Sequence, residues 1–174
     1  MTSSSSSSSA PVELITDRLV LRLWCPAEAA AVIDNTASPF WADGFPAEGD
    51  RVIAGLLEQD PGRLDERYGQ RLIIERDTGL MVGSIGLFRP PGEGALEIGY
   101  GIVASRRGRG YATEAAGAFA RFALTAPGVH TVFADVELAN PASVRVLEKA
   151  GFRRWSAEEG MARFRITEAD QHRG

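Results

Sequence analysis

Apolar and polar positions along this chain change period several times, and each change marks an element. Residues 14–24 alternate: Leu19, Leu21 and Leu23 face one way, and Arg18, Val20 and Arg22 the other, the period of a half-buried strand. Pro26 opens a helix to about Thr36, with Ala30, Ile33 and Asp34 on its turns. Phe40, Trp41 and Phe45 fall among Pro39, Gly44 and Pro46, an aromatic-bearing loop, and a second helix is predicted over 49–58. Residues 71–75 and 80–88 read as strands joined by Asp77-Thr78-Gly79, a hairpin signal. Pro90-Pro91-Gly92 ends the second, and 95–103 forms the next strand. Helical spacing returns with Tyr111, Ala115, Phe119, Phe122 and Ala123, predicting a helix over 109–125 that Pro127-Gly128 ends. A strand over 131–138 follows. Asn140-Pro141 then opens a short helix as N-cap and first-turn proline, and Gly151 closes it. Residues 152–156 and 161–166 make a last strand pair around Glu158-Glu159-Gly160.

The order is strand, two helices, three strands, helix, strand, helix and two strands. The early strands read as antiparallel, while the strand–helix–strand crossover implies one parallel pair. The expected fold is therefore a single α/β (α+β) domain with a mixed, mostly antiparallel central sheet of about seven strands flanked by helices. A chain of 174 residues suits one domain. The domain is expected over 12–168, with a disordered serine-rich tail over 1–11 and a flexible end over 169–174. No apolar run approaches the roughly 20 residues that cross a bilayer, and the N-terminus lacks the pattern of a secretory signal. Cys25 is the only cysteine, which excludes an internal disulfide and fits a reducing cytoplasm. It has no motif support as a nucleophile, and His130 and His172 form no triad or metal cluster. The formal charge of −4 argues against generic nucleic-acid binding. Against that balance Arg106, Arg107 and Arg109 form a local basic patch.

That patch carries the chemistry. Arg107-Gly108-Arg109-Gly110-Tyr111-Ala112 lies between a strand and a helix. A glycine turn feeding a helix N-terminus offers unpaired backbone N–H groups and the positive end of the helix dipole, a site for phosphate. An arginine–glycine surface turn or an RNA-binding tract is the other reading of these residues alone. A nucleoside-triphosphate loop is disfavoured, because no Gly-Lys-Ser/Thr follows. On the preceding strand, Leu96, Ile98, Tyr100 and Ile102 share one face, and Glu97, Gly99, Gly101 and Val103 the other. Two glycines on one face allow close approach by a backbone, a helix or a ligand.

Four segments in order resemble the GNAT superfamily of acyl-CoA-dependent N-acetyltransferases, most nearly the branch that includes bacterial ribosomal-protein N-terminal acetyltransferases. They are Thr16-Asp17-Arg18-Leu19-Val20-Leu21-Arg22, Leu96-Glu97-Ile98-Gly99-Tyr100-Gly101, the glycine turn, and the segment from Asn140-Pro141-Ala142-Ser143 to Glu148-Lys149-Ala150-Gly151-Phe152. The resemblance implies acetyl-CoA as cosubstrate, no metal, and a parallel strand pair splayed at the cofactor site. It places the pyrophosphate on Arg107, Gly108, Arg109, Gly110, Tyr111 and Ala112, and the pantetheine arm against backbone groups of Ile102 and Val103 and against Asn140. An amine acceptor, a protein N-terminus or a small molecule, would attack the thioester directly in a ternary complex. Glu97 is the implied general base, with Glu137 in reserve. An exposed strand carboxylate or an ion-pair partner is the other reading of Glu97. Leu147 stands where many superfamily members carry a proton-donating tyrosine; the resemblance then leaves Ser143, whose hydroxyl would reach the sulfur, as the catalytic proton donor through water, or a thiolate that leaves unassisted. That departure leaves a non-catalytic acyl-CoA-binding module as the alternative function. No membrane partner is expected, and monomer and homodimer both stay open.

Overall fold

Residues 13–65, 68–88 and 94–171 are described by the computed structural model of the chain. The serine tract, the Pro90-Pro91-Gly92 break and His172 lie outside them.

One eight-stranded sheet organises the domain. Its strands are β1 (Leu14–Ile15), β2 (Leu19–Leu23), β3 (Gln70–Glu75), β4 (Met81–Phe88), β5 (Ala95–Ile102), β6 (Thr131–Glu137), β7 (Arg153–Glu158) and β8 (Met161–Thr167). Their spatial order is β1-β2-β3-β4-β5-β6-β8-β7, and every neighbouring pair is antiparallel except β5 with β6. The predicted class is therefore observed, with eight strands where seven were expected. The extra strand comes from residues 14–24, which form a tight hairpin rather than one run. Thr16 donates its N–H to the Leu19 carbonyl at 2.9 Å and folds β1 back onto β2, so Leu14 faces Leu21. Periodicity could not reveal this, because a two-residue strand has no period. The alternation itself holds, with Leu19 and Leu21 fully buried.

The helices are α1 (Pro26–Asp34), α2 (Glu48–Gln59), α3 (Tyr111–Ala123), α4 (Pro141–Lys149) and a single turn, α5 (Glu168–Gln171). Helix α3 packs against β5 and β2 through Ala115, Ala116, Phe119, Ala120 and Ala123, all fully buried. Small side chains let it lie close to the sheet. Helices α1 and α2 pack on each other, and α2 reaches β4. Arg71 is fully buried, which an unpartnered cation would not tolerate. It donates to the Leu21 carbonyl at 3.0 Å and lies over the rings of Phe119 and Phe122.

The decisive local feature is where β5 and β6 part. They pair only through Ala95 with Thr131, Leu96 with Val132 and Glu97 with Phe133. Beyond Glu97 the two strands diverge, and β5 keeps β4 as its only ladder partner.

Candidate functional site

The gap beyond Glu97 opens into a cleft of about 550 Å³. Tyr100, Gly101 and Ile102 of β5 line one side, and Asn140, Ser143 and Val146 of α4 the other. The glycine turn closes its end with Arg107, Gly108, Gly110, Tyr111 and Ala112. Gly108 and Gly110 have φ of +80° and +84°, left-handed values that disfavour any side chain. Those two values let the chain turn sharply from Arg107 into α3. The first N–H groups of α3 have no carbonyl a turn behind them and stand at the cleft.

The turn is braced from below by a buried carboxylate. Glu75, at the end of β3, accepts from the hydroxyls of Tyr111 and Thr78, each at 2.7 Å, and from Arg106 Nε at 3.1 Å. Arg109 adds an ion pair at 3.5 Å. Burial alone would raise the Glu75 carboxyl, but these hydrogen bonds outweigh it and hold it below the usual carboxylate range. A second brace is Arg18, which donates to the Arg109 carbonyl at 2.6 Å, pairs with Glu114 at 2.8 Å and lies over the Tyr111 ring.

Most of the sequence-derived residues meet here: Ile102, Arg107, Gly108, Gly110, Tyr111, Ala112, Asn140 and Ser143 all line the cleft. Two do not. Val103 directs its N–H back to the Val82 carbonyl at 2.9 Å, so it cannot serve a ligand in the gap. N–H groups alternate along a strand, which turns the Ile102 N–H toward the gap instead. The Arg109 guanidinium turns to Glu75 and is not among the cleft's lining. Side-chain direction in a turn has no periodicity to read, and this one is set by a carboxylate 34 residues earlier in the chain. The Arg107 side chain also bends back, Nε donating to the Ile102 carbonyl at 3.0 Å. Asn140 is the N-cap of α4, its side chain accepting from the Ser143 N–H at 3.3 Å. Leu147 is fully buried and belongs to the core.

A second cavity, about 390 Å³, lies on the α2 side of β5. Asp50 and Ile53 of α2, Gln70 of β3, and Ser84 and Phe88 of β4 line it. Tyr100, Gly101, Ile102 and Arg107 border both cavities. Space beside Gly101 is open, whereas a side chain at Gly99 would meet the Phe88 ring. Asp50 is 3% exposed; it accepts from the Ser84 hydroxyl at 2.6 Å and the Ala47 N–H at 2.8 Å. Burial, which outweighs those bonds, pushes its carboxyl up from the ordinary value. Glu97 stands opposite Phe88 in the β4–β5 ladder, hence on the same face, beside this cavity rather than in its lining. Glu137 is exposed at the far end of β6 and lines neither space.

The sequence reading passed over Gln70, Ser84 and Glu75. Only Ser84 left a mark, as the one hydroxyl in the Met81-Val82-Gly83-Ser84-Ile85-Gly86 run. Among the described residues no group of His, Cys, Asp and Glu is gathered as for a metal, and no helix is long and apolar enough to cross a membrane.

Residues 18–153 match the acetyltransferase (GNAT) domain family. The chain belongs to the GNAT acetyltransferases. It is 33% identical over 82 residues to the uncharacterized N-acetyltransferase YnaD of Bacillus subtilis, and 37% identical over 82 residues to YjdG of the same organism. Those segments cover 47% of this chain and 48% and 49% of the two relatives, so the chain spans about half the length of the curated relatives it matches. At the level of fold it resembles a GNAT-family acetyltransferase from Bacillus anthracis, with a TM-score of 0.68 and 22% identity over 91% of this chain and 99% of that one. GNAT acetyltransferases take their acetyl group from acetyl-CoA.

Proposed function

We propose that this protein transfers an acetyl group from acetyl-CoA to a primary amine, by direct attack within a ternary complex. The observation that carries the reading is the pair of cavities that share Tyr100, Gly101 and Ile102 as a common wall. Two reactants held on either side of one short backbone segment meet without diffusing, which removes much of the entropic barrier.

The residues present fit the acyl donor. Left-handed Gly108 and Gly110 expose the N–H groups of the turn and of α3 to a pyrophosphate. Ile102 presents its N–H to a pantetheine amide, and Asn140 and Ser143 add polar groups from α4. The donor supplies an activated thioester carbonyl. An alkyl amine with a pKa of roughly 10 must lose a proton to become a nucleophile. Glu97, which faces the α2 side of β5 beside the second cavity, is the carboxylate this reading assigns as proton acceptor, directly or through one water. The amine itself occupies the second cavity, where Asp50, Ser84 and Gln70 provide hydrogen-bonding groups beside the apolar wall of Phe88 and Ile53. The resemblance to ribosomal-protein N-terminal acetyltransferases supports a peptide N-terminus as acceptor, and small-molecule amines satisfy the same chemistry.

A coenzyme A release assay across peptides and small amines, with mass spectrometry of the products, tests the activity. Release no faster than the uncatalysed rate with every amine would leave an acyl-CoA-binding module. Glu97→Gln should lower turnover about a hundredfold with acetyl-CoA affinity kept, given a typical general-base contribution of about 10²–10⁴. Rates equal to those of the unaltered protein across pH would remove Glu97 from the mechanism.

A further inference from the structure

The fold satisfies the buried hydroxyls around these cavities with one exception. Ser84 has Asp50 at 2.6 Å, and Tyr111 has Glu75 at 2.7 Å. The Tyr100 hydroxyl is sealed from solvent, and no group among the described residues meets it in hydrogen-bonding geometry. Ser143 is the polar side chain beside it and acts on it as a hydrogen-bonding neighbour that partly offsets burial. A buried O–H without an acceptor is costly, and where one persists at a site its partner is characteristically a ligand. Tyr100 is also the only hydroxyl-bearing residue, among the described residues, that borders both cavities. It lies three residues past Glu97, where β5 has just left β6. From α4 the side chain at Leu147 is apolar and points into the core, so that helix offers no tyrosine in its place.

We propose that the Tyr100 hydroxyl is the hydrogen-bond donor that receives the sulfur of the acyl donor as the thioester is cleaved. The inference rests on the reading of the cleft as the coenzyme A site. In the step, the amine nitrogen bonds to the acetyl carbon and the C–S bond breaks, its electron pair passing to sulfur. The proton lost by nitrogen passes to Glu97 or to water, and the thiolate takes its own proton from solvent on release. Tyr100 keeps its proton throughout. Burial pushes its pKa up to about 12, far above the roughly 8.5 of a thiol, so it donates a hydrogen bond without surrendering the proton. A positioned O–H facing developing negative charge in a site shielded from water is the arrangement that stabilises a leaving thiolate.

The test compares coenzyme A with desulfo-coenzyme A, in which hydrogen replaces the thiol. Binding to the unaltered protein and to Tyr100→Phe is measured by calorimetry at about pH 9, where the thiol is largely ionised. Tyr100→Phe should lose about tenfold in affinity for coenzyme A and nothing for desulfo-coenzyme A. Equal losses for both ligands would mean a packing role, and no loss for either would mean no contact; each overturns the proposal. If the unaltered protein binds neither ligand, the assignment of the cleft itself fails, an outcome distinct from both. Should Tyr100→Phe not fold, a ring-fluorinated tyrosine at 100 keeps the shape and lowers the phenol pKa. Its affinity for coenzyme A should then fall at a lower pH than that of the natural residue, with desulfo-coenzyme A unaffected; an unmoved profile overturns the proposal.

Discussion

Replacing Glu75 with glutamine removes the charge beneath the glycine turn while keeping the shape of the side chain. The carboxylate is 4% exposed and accepts from Tyr111 and Thr78 at 2.7 Å and from Arg106 at 3.1 Å. Hydrogen bonds to a charged group contribute about 1.5–3 kcal/mol each. Glutamine retains one acceptor oxygen, so the expected loss is about 2–3 kcal/mol rather than the sum of three bonds. At about 2–4 °C per kcal/mol for a chain of this size, the Tm falls by about 5–10 °C. Truncation to alanine leaves Arg106 without its partner and should cost about 3–5 kcal/mol. The pH dependence has a definite sign. The folded-state pKa of Glu75 is depressed, so its stabilisation is complete above the unfolded value of roughly 4.3 and is lost as pH falls through the folded value. Urea unfolding of the protein and of Glu75→Gln, followed by tryptophan fluorescence, should show a constant gap from pH 8 to about 5 that closes on further acidification. A gap under about 0.5 kcal/mol at pH 7, or one unchanged at pH 3, would refute the account of the brace.

Asp50 should show the opposite dependence. Burial raises its folded pKa, so the charged form weakens the fold as pH rises through the window above about 3.9. Asp50→Asn should therefore match or exceed the natural protein by up to about 1 kcal/mol at pH 7, with the difference vanishing in acid; a loss above 1 kcal/mol at pH 7 would contradict this. Gly110→Ala places a side chain at φ +84° and 3.2 Å from an Arg18 nitrogen, so it should cost about 1–2 kcal/mol and weaken coenzyme A binding about tenfold. Gly55→Ala, inside α2 with open space beside it, should instead add about 0.5–1 kcal/mol. Equal effects in thermal melts of the two alanine variants would undo the argument from backbone conformation.

Local signals in the chain carried the elements. The alternation around Leu19 and Leu21, the Asp77-Thr78-Gly79 turn, the Asn140-Pro141 cap and the alanine-rich face of α3 each depend on neighbours within a few residues, and each is observed. The glycine turn was legible for the same reason: left-handed φ at Gly108 and Gly110 is a property of the backbone there. Side chains that act across the sheet were not legible. Glu75, Gln70 and Ser84 come to the site from β3 and β4, and their sequence neighbourhoods do not show where they meet. The direction of the Val103 N–H was not legible either, because it depends on which neighbouring strand takes it.

Sequence alone determined that this chain folds as one mixed sheet with a glycine turn between β5 and α3, because periodicity, caps and glycine conformations are short-range. Tertiary structure decided what surrounds that turn. The parting of β5 from β6 after Glu97 makes the cleft, the packing of α2 over β4 makes the second cavity, and both leave Tyr100 between them with a hydroxyl that no group among the described residues meets in hydrogen-bonding geometry. Those are relations between residues far apart in the chain, settled only when strands choose partners and a common core closes around them.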